Sequence, residues 1–376
     1  MKRILALSWR DINAPRAGGA EVHTHKLLSG LNPKEFEVIH YSPEFKNCKQ
    51  KEIINGVTYL RKGNIFSVIW HAFRYYRRHK NDFDFVIDQC NTHRFFTWLY
   101  VPQKKRVFYI HQTTREIWKY SMKWPMCLIG QMAETWMLRR NRKDKVITVS
   151  ESTKAELIEL GYIPENIRIV YNGISFVPWT KEQMYKKESA PTFIYAGRYA
   201  PYKGIDIAIE AFVELKKQYP NSKLWIIGKK DEAYVQKRLK PICDTNGIMW
   251  SDDGDNSGDV VSWGYVSENK KLELFSRSKA LLFPSIREGW GIPITEAGVV
   301  GTPSIVFDSP GIRDAVDEGR AGFLCKQNNM AGLLEQMENV LTDEDTYSEM
   351  REKAYSFSSQ FSWEKCNDYL LGFWDE

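Results

Sequence analysis

The sequence has few cysteines and no long apolar run, and each absence argues against a broad class of protein. Its six cysteines are scattered over 376 residues without a C-x-x-C pair, so neither a disulfide framework nor a zinc site is indicated. No run approaches the roughly 20 uncharged apolar residues of a membrane-spanning helix. The opening MKRILALSWRD turns polar too soon for a signal peptide. We therefore expect a cytoplasmic protein with reduced thiols.

The sequence also lacks the glycine fingerprint of dinucleotide dehydrogenases. Gly18 and Gly19 stand between a first strand and a predicted helix, but WRDINAPRAGG is not G-x-G-x-x-G. A glycine pair before a helix can still bring backbone N–H groups and the helix dipole to a phosphate. A plain tight turn explains the pair equally well.

Acidic residues are scarce in the first half of the chain. Residues 1–171 hold 29 Lys and Arg against 16 Asp and Glu, a net +13, whereas the remainder holds 24 against 31, a net −7. A basic half fits an anionic acceptor or an anionic membrane surface, and a merely soluble basic domain is the alternative. No recognised nucleic-acid motif accompanies the charge, so we expect no nucleic-acid partner.

Two segments of the basic half, 65–80 and 118–145, mix aromatic and cationic side chains. Such mixtures suit a helix that lies at the surface of an anionic membrane. A core-facing aromatic stripe with a solvated basic face fits them equally well. We therefore expect a cytoplasmic location, peripheral on the inner face of the membrane if these segments bind lipid.

Strand-like apolar runs alternate with amphipathic stretches along most of the chain. This alternation predicts βαβ units and parallel sheets, and the length fits two domains. Asn55-Gly56 predicts a tight hairpin turn. The predicted segments are a first domain over 1–175, a polar linker over 176–191, a second domain over 192–356 and a C-terminal helix over 357–376. The clearest predicted helices are 20–31, 65–78, 128–140, 152–160 and 204–218.

The most informative stretch is PSIREGWGIPITEAGVVG, residues 284–301. A short apolar strand precedes it, a glycine-rich loop follows, and a helix is predicted over 294–300. Glu288 lies in the loop and Glu296 in the helix, eight residues apart. The glycines let backbone N–H groups approach a ligand, so the arrangement suits a sugar nucleotide, one carboxylate facing the sugar and one the ribose. Solvated glutamates at a strand–loop–helix corner are the alternative.

A second stretch, YAGRYAPYKG at 195–204, places two cations after a predicted strand. Arg198 offers a bidentate fork and Lys203 a mobile point charge, a combination that suits a diphosphate. Two exposed loop cations without a ligand are the alternative.

Together these stretches resemble the E-x7-E and G-R-x4-K-G motifs of retaining glycosyltransferases of family 4. The resemblance implies the GT-B architecture: two Rossmann-like α/β domains facing a central cleft, with a C-terminal helix that crosses back to the first domain. It also implies transfer of a hexose from a UDP-sugar or GDP-mannose to a hydroxyl of a glycan or lipid-linked acceptor, with retention at the anomeric carbon. Cell-surface polysaccharide or glycoconjugate synthesis is the expected setting.

The resemblance implies that no metal or other cofactor is required, because the family's cationic side chains replace the metal. Asp82 and Asp84 form a D-x-D pair like that of metal-dependent glycosyltransferases, but they fall between a predicted helix and a strand. We interpret them as part of that connection.

The resemblance also assigns roles to residues. Arg198 and Lys203 would hold the donor diphosphate and stabilise the departing nucleotide. His111, at the end of a predicted strand, would contact the transferred sugar rather than act as a base; a structural histidine is the alternative. Glu21 would face the acceptor, and Tyr265 and Val266 would pack the nucleobase. The predicted catalytic residues are Glu288, His111, Arg198 and Lys203, and the predicted donor-binding residues are Gly18, Gly19, Arg198, Lys203, Val266, Glu288, Gly289, Trp290, Gly291 and Glu296.

Two other functions compete with this prediction. One is a non-catalytic GT-B subunit that binds sugar or polymer, against which the intact cations and glutamates argue. The other is a different GT-B enzyme, such as a phosphorylase or an epimerase. A phosphorylase would ordinarily carry a pyridoxal phosphate lysine, and the sequence does not place one.

Overall fold

The computed structural model describes residues 1–15, 17–370 and 372–375, and it divides the chain into two compact units. The first unit comprises Met1–Gly173 together with Ser362–Glu376, and the second comprises Ile174–Phe361. Each unit has its own sheet and its own core.

The first unit contains eight strands and the helices that connect them. The strands are β1 (Lys2–Leu7), β2 (Phe36–Ser42), β3 (Lys51–Ile54), β4 (Val57–Arg61), β5 (Phe85–Cys90), β6 (Arg106–Ile110), β7 (Lys145–Thr148) and β8 (Ile167–Ile169). The α-helices within residues 1–173 are α1 (Gly19–Ser29), α2 (Val68–His79), α3 (Trp118–Ser121), α4 (Met126–Leu138) and α5 (Glu151–Glu159). Short 3-10 helices span Thr97–Leu99, Gln103–Lys105, Arg115–Ile117 and Pro164–Asn166.

The sheet of the first unit runs in the order β3-β4-β2-β1-β5-β6-β7-β8. Every neighbouring pair is parallel except β3 and β4. The β3–β4 hairpin turns at Asn55 and Gly56, whose φ angles are 48° and 81°, which confirms the predicted turn. In β1, Ile4 and Leu5 face opposite sides of the sheet and both are fully buried, as expected for a parallel strand covered on both faces.

The second unit contains seven strands and eight α-helices. The strands are β9 (Thr192–Ala196), β10 (Lys223–Ile227), β11 (Trp250–Ser251), β12 (Val260–Gly264), β13 (Ala280–Phe283), β14 (Ser304–Val306) and β15 (Phe323–Leu324). The helices are α6 (Ile205–Gln218), α7 (Glu232–Tyr234), α8 (Lys240–Thr245), α9 (Glu268–Arg277), α10 (Ile292–Gly298), α11 (Ile312–Ala315), α12 (Met330–Thr342) and α13 (Glu344–Ser358). A π-helix spans Val235–Leu239, and 3-10 helices span Pro201–Lys203 and Asp317–Gly319.

The second sheet is parallel throughout, in the order β11-β12-β10-β9-β13-β14-β15. The chain builds outward from β9 to one side and then returns to its other side with β13. The strand order therefore reverses between β9 and β13, and in the first unit it reverses between β1 and β5 in the same way. Open α/β sheets bind ligands beyond the carboxyl ends of the strands at such a reversal. The prediction of two Rossmann-like units is confirmed.

The structure corrects the predicted linker. The first unit ends at Gly173 rather than at residue 175, and residues 176–191 belong to the second unit. The polar composition of this segment predicted a linker, but its polar groups form hydrogen bonds with the second unit. The contacts are Trp179 N–H to Val299 O (3.0 Å), Glu188 N–H to Arg277 O (2.9 Å) and Lys187 Nζ to Thr302 Oγ1 (2.6 Å).

The C-terminal segment returns to the first unit, as the resemblance implies, but its helix is shorter than the predicted 357–376. Helix α13 continues to Ser358 within the second unit, and the chain joins the first unit at Ser362. A separate helix, α14 (Trp363–Asp368), follows. Beyond it the Trp374 ring packs 5.1 Å from that of Phe85. Over the described residues, no helix is long and apolar enough to cross a membrane.

Candidate active site

Lys203 and Glu288 meet at the carboxyl ends of the neighbouring strands β9 and β13. The Lys203 ammonium forms an ion pair with Glu288 Oε1, and Ser285 Oγ donates a hydrogen bond of 2.8 Å to the same oxygen. The two charged side chains are only 14% and 13% exposed. The strand order thus brings together two predicted site residues that lie 85 positions apart in the sequence.

The loop that carries Lys203 packs directly against the loop after β13. Gly204 has φ +69°, and a Cβ at this position would lie 2.2 Å from the carbonyl oxygen of Pro284. Only glycine meets both demands. The Ile286 N–H also donates to the Tyr202 carbonyl at 3.1 Å. These contacts set the position of Lys203 through the backbone.

Glu288 is held by its own backbone and by the neighbouring turn. Its N–H donates to the Pro310 carbonyl at 3.2 Å. A Cβ on Gly311, whose φ is +77°, would lie 2.1 Å from the Glu288 carbonyl oxygen, so the turn packs directly on this residue. Trp290 is 2% exposed and its ring packs edge-on 5.0 Å from Phe361. The Trp290 side chain therefore belongs to the packing that supports the loop.

Arg198 lies two residues beyond β9 with its side chain exposed. Its Nη2 reaches the Tyr202 hydroxyl at 3.3 Å. The guanidinium is thus next to the Lys203 loop and open to solvent. The planar guanidinium of Arg198 still has N–H donors that could form paired hydrogen bonds with phosphate oxygens.

Glu296 lies in α10 and pairs with a residue that the sequence did not single out. Lys271 Nζ of α9 contacts Glu296 Oε1 at 2.7 Å and Glu268 Oε2 at 2.9 Å. Glu296 is 8% exposed, and this burial raises its pKa although Lys271 opposes the shift. Lys271 therefore anchors the carboxylate that the family resemblance assigns to the ribose.

Tyr265 and Val266 follow β12 directly and precede α9. Tyr265 is 87% exposed and Val266 is half-buried. The carboxyl end of β12 thus offers an uncovered aromatic ring. Its helix neighbour α9 carries Lys271, which connects this position to Glu296.

In the first unit, the glycine pair lies at the start of α1: Gly18 is the N-cap and Gly19 is the first helical residue, one position before the predicted start at residue 20. Gly18 is extended, and its N–H donates to Glu21 Oε2 at 2.8 Å. Among the described residues, a Cβ on Gly18 would meet nothing nearer than Glu21 Oε2, at 3.8 Å. Packing in the described part of the chain therefore does not demand a glycine at position 18.

Glu21 is not an open acceptor contact, contrary to the prediction. Its side chain is 4% exposed, caps Gly18 and pairs with Arg10 Nε at 2.9 Å. The sequence pattern missed this because the carboxylate folds back on the first turn of its own helix. Its observed contacts hold the loop before α1.

His111 follows β6 and packs in a buried cluster with His23 and Tyr109. Its ring centroid lies 5.2 Å from that of His23 and 4.8 Å from that of Tyr109. His23 Nε2 donates to the Val170 carbonyl at 3.0 Å, so its Nδ1 accepts from the Tyr109 hydroxyl. His111 Nε2 is buried and finds no hydrogen-bond partner within residues 1–15, 17–370 and 372–375.

Burial keeps both imidazoles neutral at neutral pH. It lowers the pKa of His23 to about 4. It also holds the pKa of His111 well below its usual range, and the neighbouring His23 adds to this effect. A neutral ring with an unpaired nitrogen suits a hydrogen bond to a sugar hydroxyl better than proton abstraction. The His23 ring packs edge-on against this ring.

The buried histidines predict that acid destabilises the protein. An unfolded histidine has a pKa near 6.5, so between pH 6.5 and 4 the unfolded chain binds a proton that folded His23 does not. The free energy of unfolding should therefore fall as the pH drops through this window, by about 3 kcal/mol for His23 alone. His40, whose pKa burial lowers to about 3, acts in the same direction.

Urea unfolding between pH 7 and 4.5 would measure this slope. His23→Gln should flatten this slope, whereas His79→Gln, at the last residue of α2 where the side chain is 44% exposed, should leave it close to wild type. An equal slope in wild type and His23→Gln would contradict a neutral, buried His23.

Two family profiles match the chain. The profile described as glycosyl transferases group 1 matches residues 179–357, and that described as glycosyltransferase family 4 matches residues 17–176. An uncharacterised glycosyltransferase of Methanocaldococcus jannaschii is 26% identical over 377 residues, 96% of each chain. A capsular polysaccharide biosynthesis glycosyltransferase of Staphylococcus aureus is 26% identical over 237 residues, 58% of this chain and 59% of that protein.

Solved structures share the fold. Sucrose-phosphate synthase from Thermosynechococcus elongatus superposes with a TM-score of 0.77 at 17% identity, over 100% of this chain and 98% of that one. The Anabaena protein HepE, solved with UDP-glucose, superposes with a TM-score of 0.71 at 16% identity over 99% of each chain. Together with the two profiles and the two parallel-sheet units, these similarities show that the chain belongs to the family 4 glycosyltransferases and has the GT-B fold.

Proposed function

We propose that this protein is a retaining hexosyltransferase that takes a hexose from a UDP-sugar and attaches it to a hydroxyl of a glycan or lipid-linked acceptor. The observation that carries the proposal is the Lys203–Glu288–Ser285 cluster at the strand-order reversal of the second unit. The UDP-glucose complex of HepE supports a uridine donor, and GDP-mannose is the alternative to test. The capsule relative supports a role in cell-surface polysaccharide or glycoconjugate synthesis.

The proposed reaction exchanges one bond at the anomeric carbon for another on the same face of the sugar. The bond from that carbon to the β-phosphate oxygen breaks, and a bond to the acceptor oxygen forms. The acceptor proton passes to the departing diphosphate, so no protein group needs to keep it. Negative charge builds on the leaving group, and cations held in place beforehand stabilise it without reorganisation.

Each of the predicted catalytic and donor-binding residues has a part in this proposal. Lys203 and Arg198 would bind the diphosphate, the first as a point charge and the second as a fork. Glu288 would accept hydrogen bonds from the sugar hydroxyls, and Glu296 would accept them from the ribose. His111 stays a proposed sugar contact. The remaining proposed donor contacts are Gly18, Gly19, Val266, Gly289, Trp290 and Gly291.

We further propose that transfer needs no metal ion, because Arg198 and Lys203 supply the positive charge that a metal would bring to the diphosphate. The test is hydrolysis or transfer measured with UDP-, GDP-, dTDP- and ADP-sugars, with and without EDTA. We expect turnover with one UDP-sugar and an unchanged rate in EDTA.

If EDTA abolished turnover and Mg²⁺ or Mn²⁺ restored it, the proposal that transfer needs no metal ion would be overturned. Turnover with GDP-mannose alone would overturn the uridine assignment and keep the enzyme. Binding of a nucleotide sugar without turnover on any glycan acceptor would favour the non-catalytic subunit instead. Thermal shift measures nucleotide binding separately from turnover, so it distinguishes an inactive binding subunit from a protein that binds no nucleotide. A ligand at 100 times its Kd stabilises the folded state by about 2.7 kcal/mol.

A further inference from the structure

One segment of the first unit, from within α3 to the first residue of α4, exposes every one of its residues. Residues 119–126, KYSMKWPM, are all exposed, and four of them are large apolar side chains. Trp124 is 78% exposed, Met126 52%, Tyr120 51% and Met122 43%. Single exposed apolar residues are ordinary, but a contiguous group of this size marks an interaction surface.

Helix α4 continues this surface because it is apolar on two opposite sides. Its inner side buries Cys127, Met137 and Leu138 against the core. Its outer side exposes Leu128 (45%), Ile129 (53%), Met132 (72%) and Trp136 (53%). A helix that is apolar all round is normally covered all round, so the outer side lacks its cover within the described residues.

Glu134 prevents the outer side from rolling inward. It is buried on the inner side of α4, and its carboxylate accepts from the N–H groups of Thr114 (2.5 Å) and Arg115 (3.0 Å) and from the Trp118 indole (2.9 Å). Rotating the helix would break all three hydrogen bonds and strand a carboxylate in the core. The exposure of Met132 and Trp136 is therefore built into the fold.

The exposed charges within residues 117–143 have one sign. Between residues 117 and 143 the only carboxylate is Glu134, which faces inward. The Arg140 guanidinium lies over the Trp136 ring, 4.6 Å from its centroid. The exposed cations of the segment are Lys119, Lys123, Arg139, Arg140, Arg142 and Lys143. An apolar centre with aromatic rings and a cationic border is complementary to the acyl chains and anionic headgroups of a bilayer.

Helix α2 lies on the same side of the sheet as α4. Val86 and Cys90 both belong to β5 and, four residues apart, point to one face of the sheet. Val86 packs in the cluster that contains the buried residues of α2, and Cys90 packs in the cluster that contains those of α4. Just before and within α2, Phe66 is 89% exposed and Trp70 57%. Both aromatic segments of the basic half are thus presented from one layer.

We propose that the first unit binds the surface of an anionic lipid bilayer through residues 119–126 and the outer side of α4. The exposed charges within residues 117–143 are all cationic, and this excess favours an anionic lipid surface over a protein partner, whose contact would be expected to meet charges of both signs. The proposal deepens the proposed function, on which it rests only for the idea that the acceptor is membrane-linked. Because lipid binding needs no donor, it can fail or succeed independently of transferase activity.

Sedimentation with vesicles tests the proposal. We expect the protein to sediment with phosphatidylcholine vesicles that contain 30 mol% phosphatidylglycerol but not with pure phosphatidylcholine, and to be released between 0.05 and 0.5 M NaCl. The double variant Arg139→Gln/Arg140→Gln should bind about 30-fold more weakly, since each basic residue near an anionic surface contributes about 1 kcal/mol. The triple variant Trp124→Ser/Met132→Ser/Trp136→Ser should lose binding as well.

Matched controls remove the same chemistry elsewhere in the first unit. Lys46→Gln/Lys49→Gln removes two exposed cations, and Ile53→Ser removes a 69% exposed apolar side chain. Both should bind vesicles like wild type, and a cooperative thermal unfolding transition, measured by circular dichroism without ligand, checks that every variant is folded. Equal losses in controls and surface variants, or no binding by wild type, would overturn the proposal. It would also be overturned if the triple variant dissociated a dimer while wild type ignored lipid, because the occupant would then be a second copy.

Discussion

Replacing Lys203 with alanine should lower turnover by about 10²–10³-fold, the usual cost of removing one donor that stabilises charge in the transition state. The Lys203 side chain is 14% exposed, so its charge is only partly screened by water. It also pairs with Glu288, and without it that carboxylate would stay in a largely buried position unpaired. Steady-state kinetics with the preferred donor would measure the loss, and binding of UDP itself should weaken.

Two controls separate catalysis from folding in this variant. Lys217→Ala removes an exposed lysine that pairs with Glu214 in the same unit, and it should leave turnover unchanged. The double variant Lys203→Met/Glu288→Gln removes both charges, so it should regain thermal stability lost by Lys203→Ala while turnover stays low. Full activity in a folded Lys203→Ala protein would refute the diphosphate role.

Replacing Glu288 with glutamine should lower turnover by about 100-fold and leave the binding of UDP almost unchanged. Glutamine keeps the size of the side chain and can still accept the Ser285 hydroxyl hydrogen bond, now 2.8 Å long. It loses the charge-assisted bonds to sugar hydroxyls, which contribute about 1.5–3 kcal/mol each. The two variants should therefore differ in their affinity for UDP, since only the Lys203 variant should bind the nucleotide more weakly.

Thermal shift with UDP and with the UDP-sugar would reveal this difference. Wild type should be stabilised more by the sugar nucleotide than by UDP, and Glu288→Gln should show equal shifts. Glu214→Gln is the matched control, because it removes a glutamate from a solvent-exposed pair. A Glu288→Gln protein that still discriminates between the two ligands would place the sugar contact elsewhere.

Local patterns predicted most of the secondary structure. The predicted helix 65–78 corresponds to α2 (Val68–His79), and the predicted helix 128–140 corresponds to α4 (Met126–Leu138). The helix predicted over 294–300 begins earlier, at Ile292, because Pro293 is tolerated in a first helical turn. These agreements follow from the 3.6-residue and 2-residue repeats of apolar side chains, which depend only on neighbours in sequence.

The partners of the candidate residues were beyond the reach of such patterns. Glu296 was found by its spacing from Glu288, but nothing near it in sequence indicated Lys271, which reaches it from α9. Ser285 lies close to Glu288 in the sequence, yet its hydrogen bond depends on the bend of the loop after β13. The polar composition of residues 176–191 predicted a linker. The prediction was wrong because polar groups of this segment bond to residues 89 to 120 positions away, such as Arg277 and Thr302, and a local pattern does not show such partners.

The amino-acid sequence alone predicted the alternation of strands and helices, and it showed cysteines without paired spacing, a basic first half and two motifs that indicated a sugar nucleotide. Each of these is a property of composition or of short spacing. The pairing of Lys203 with Glu288 depends on the fold, since it requires β9 and β13 to be neighbours in the sheet. The fold also sets which side of α4 is uncovered, because Glu134 fixes the rotation of the helix. Contacts between residues that are distant in sequence depend on the strand order and on buried polar partners, and a local sequence pattern predicts neither.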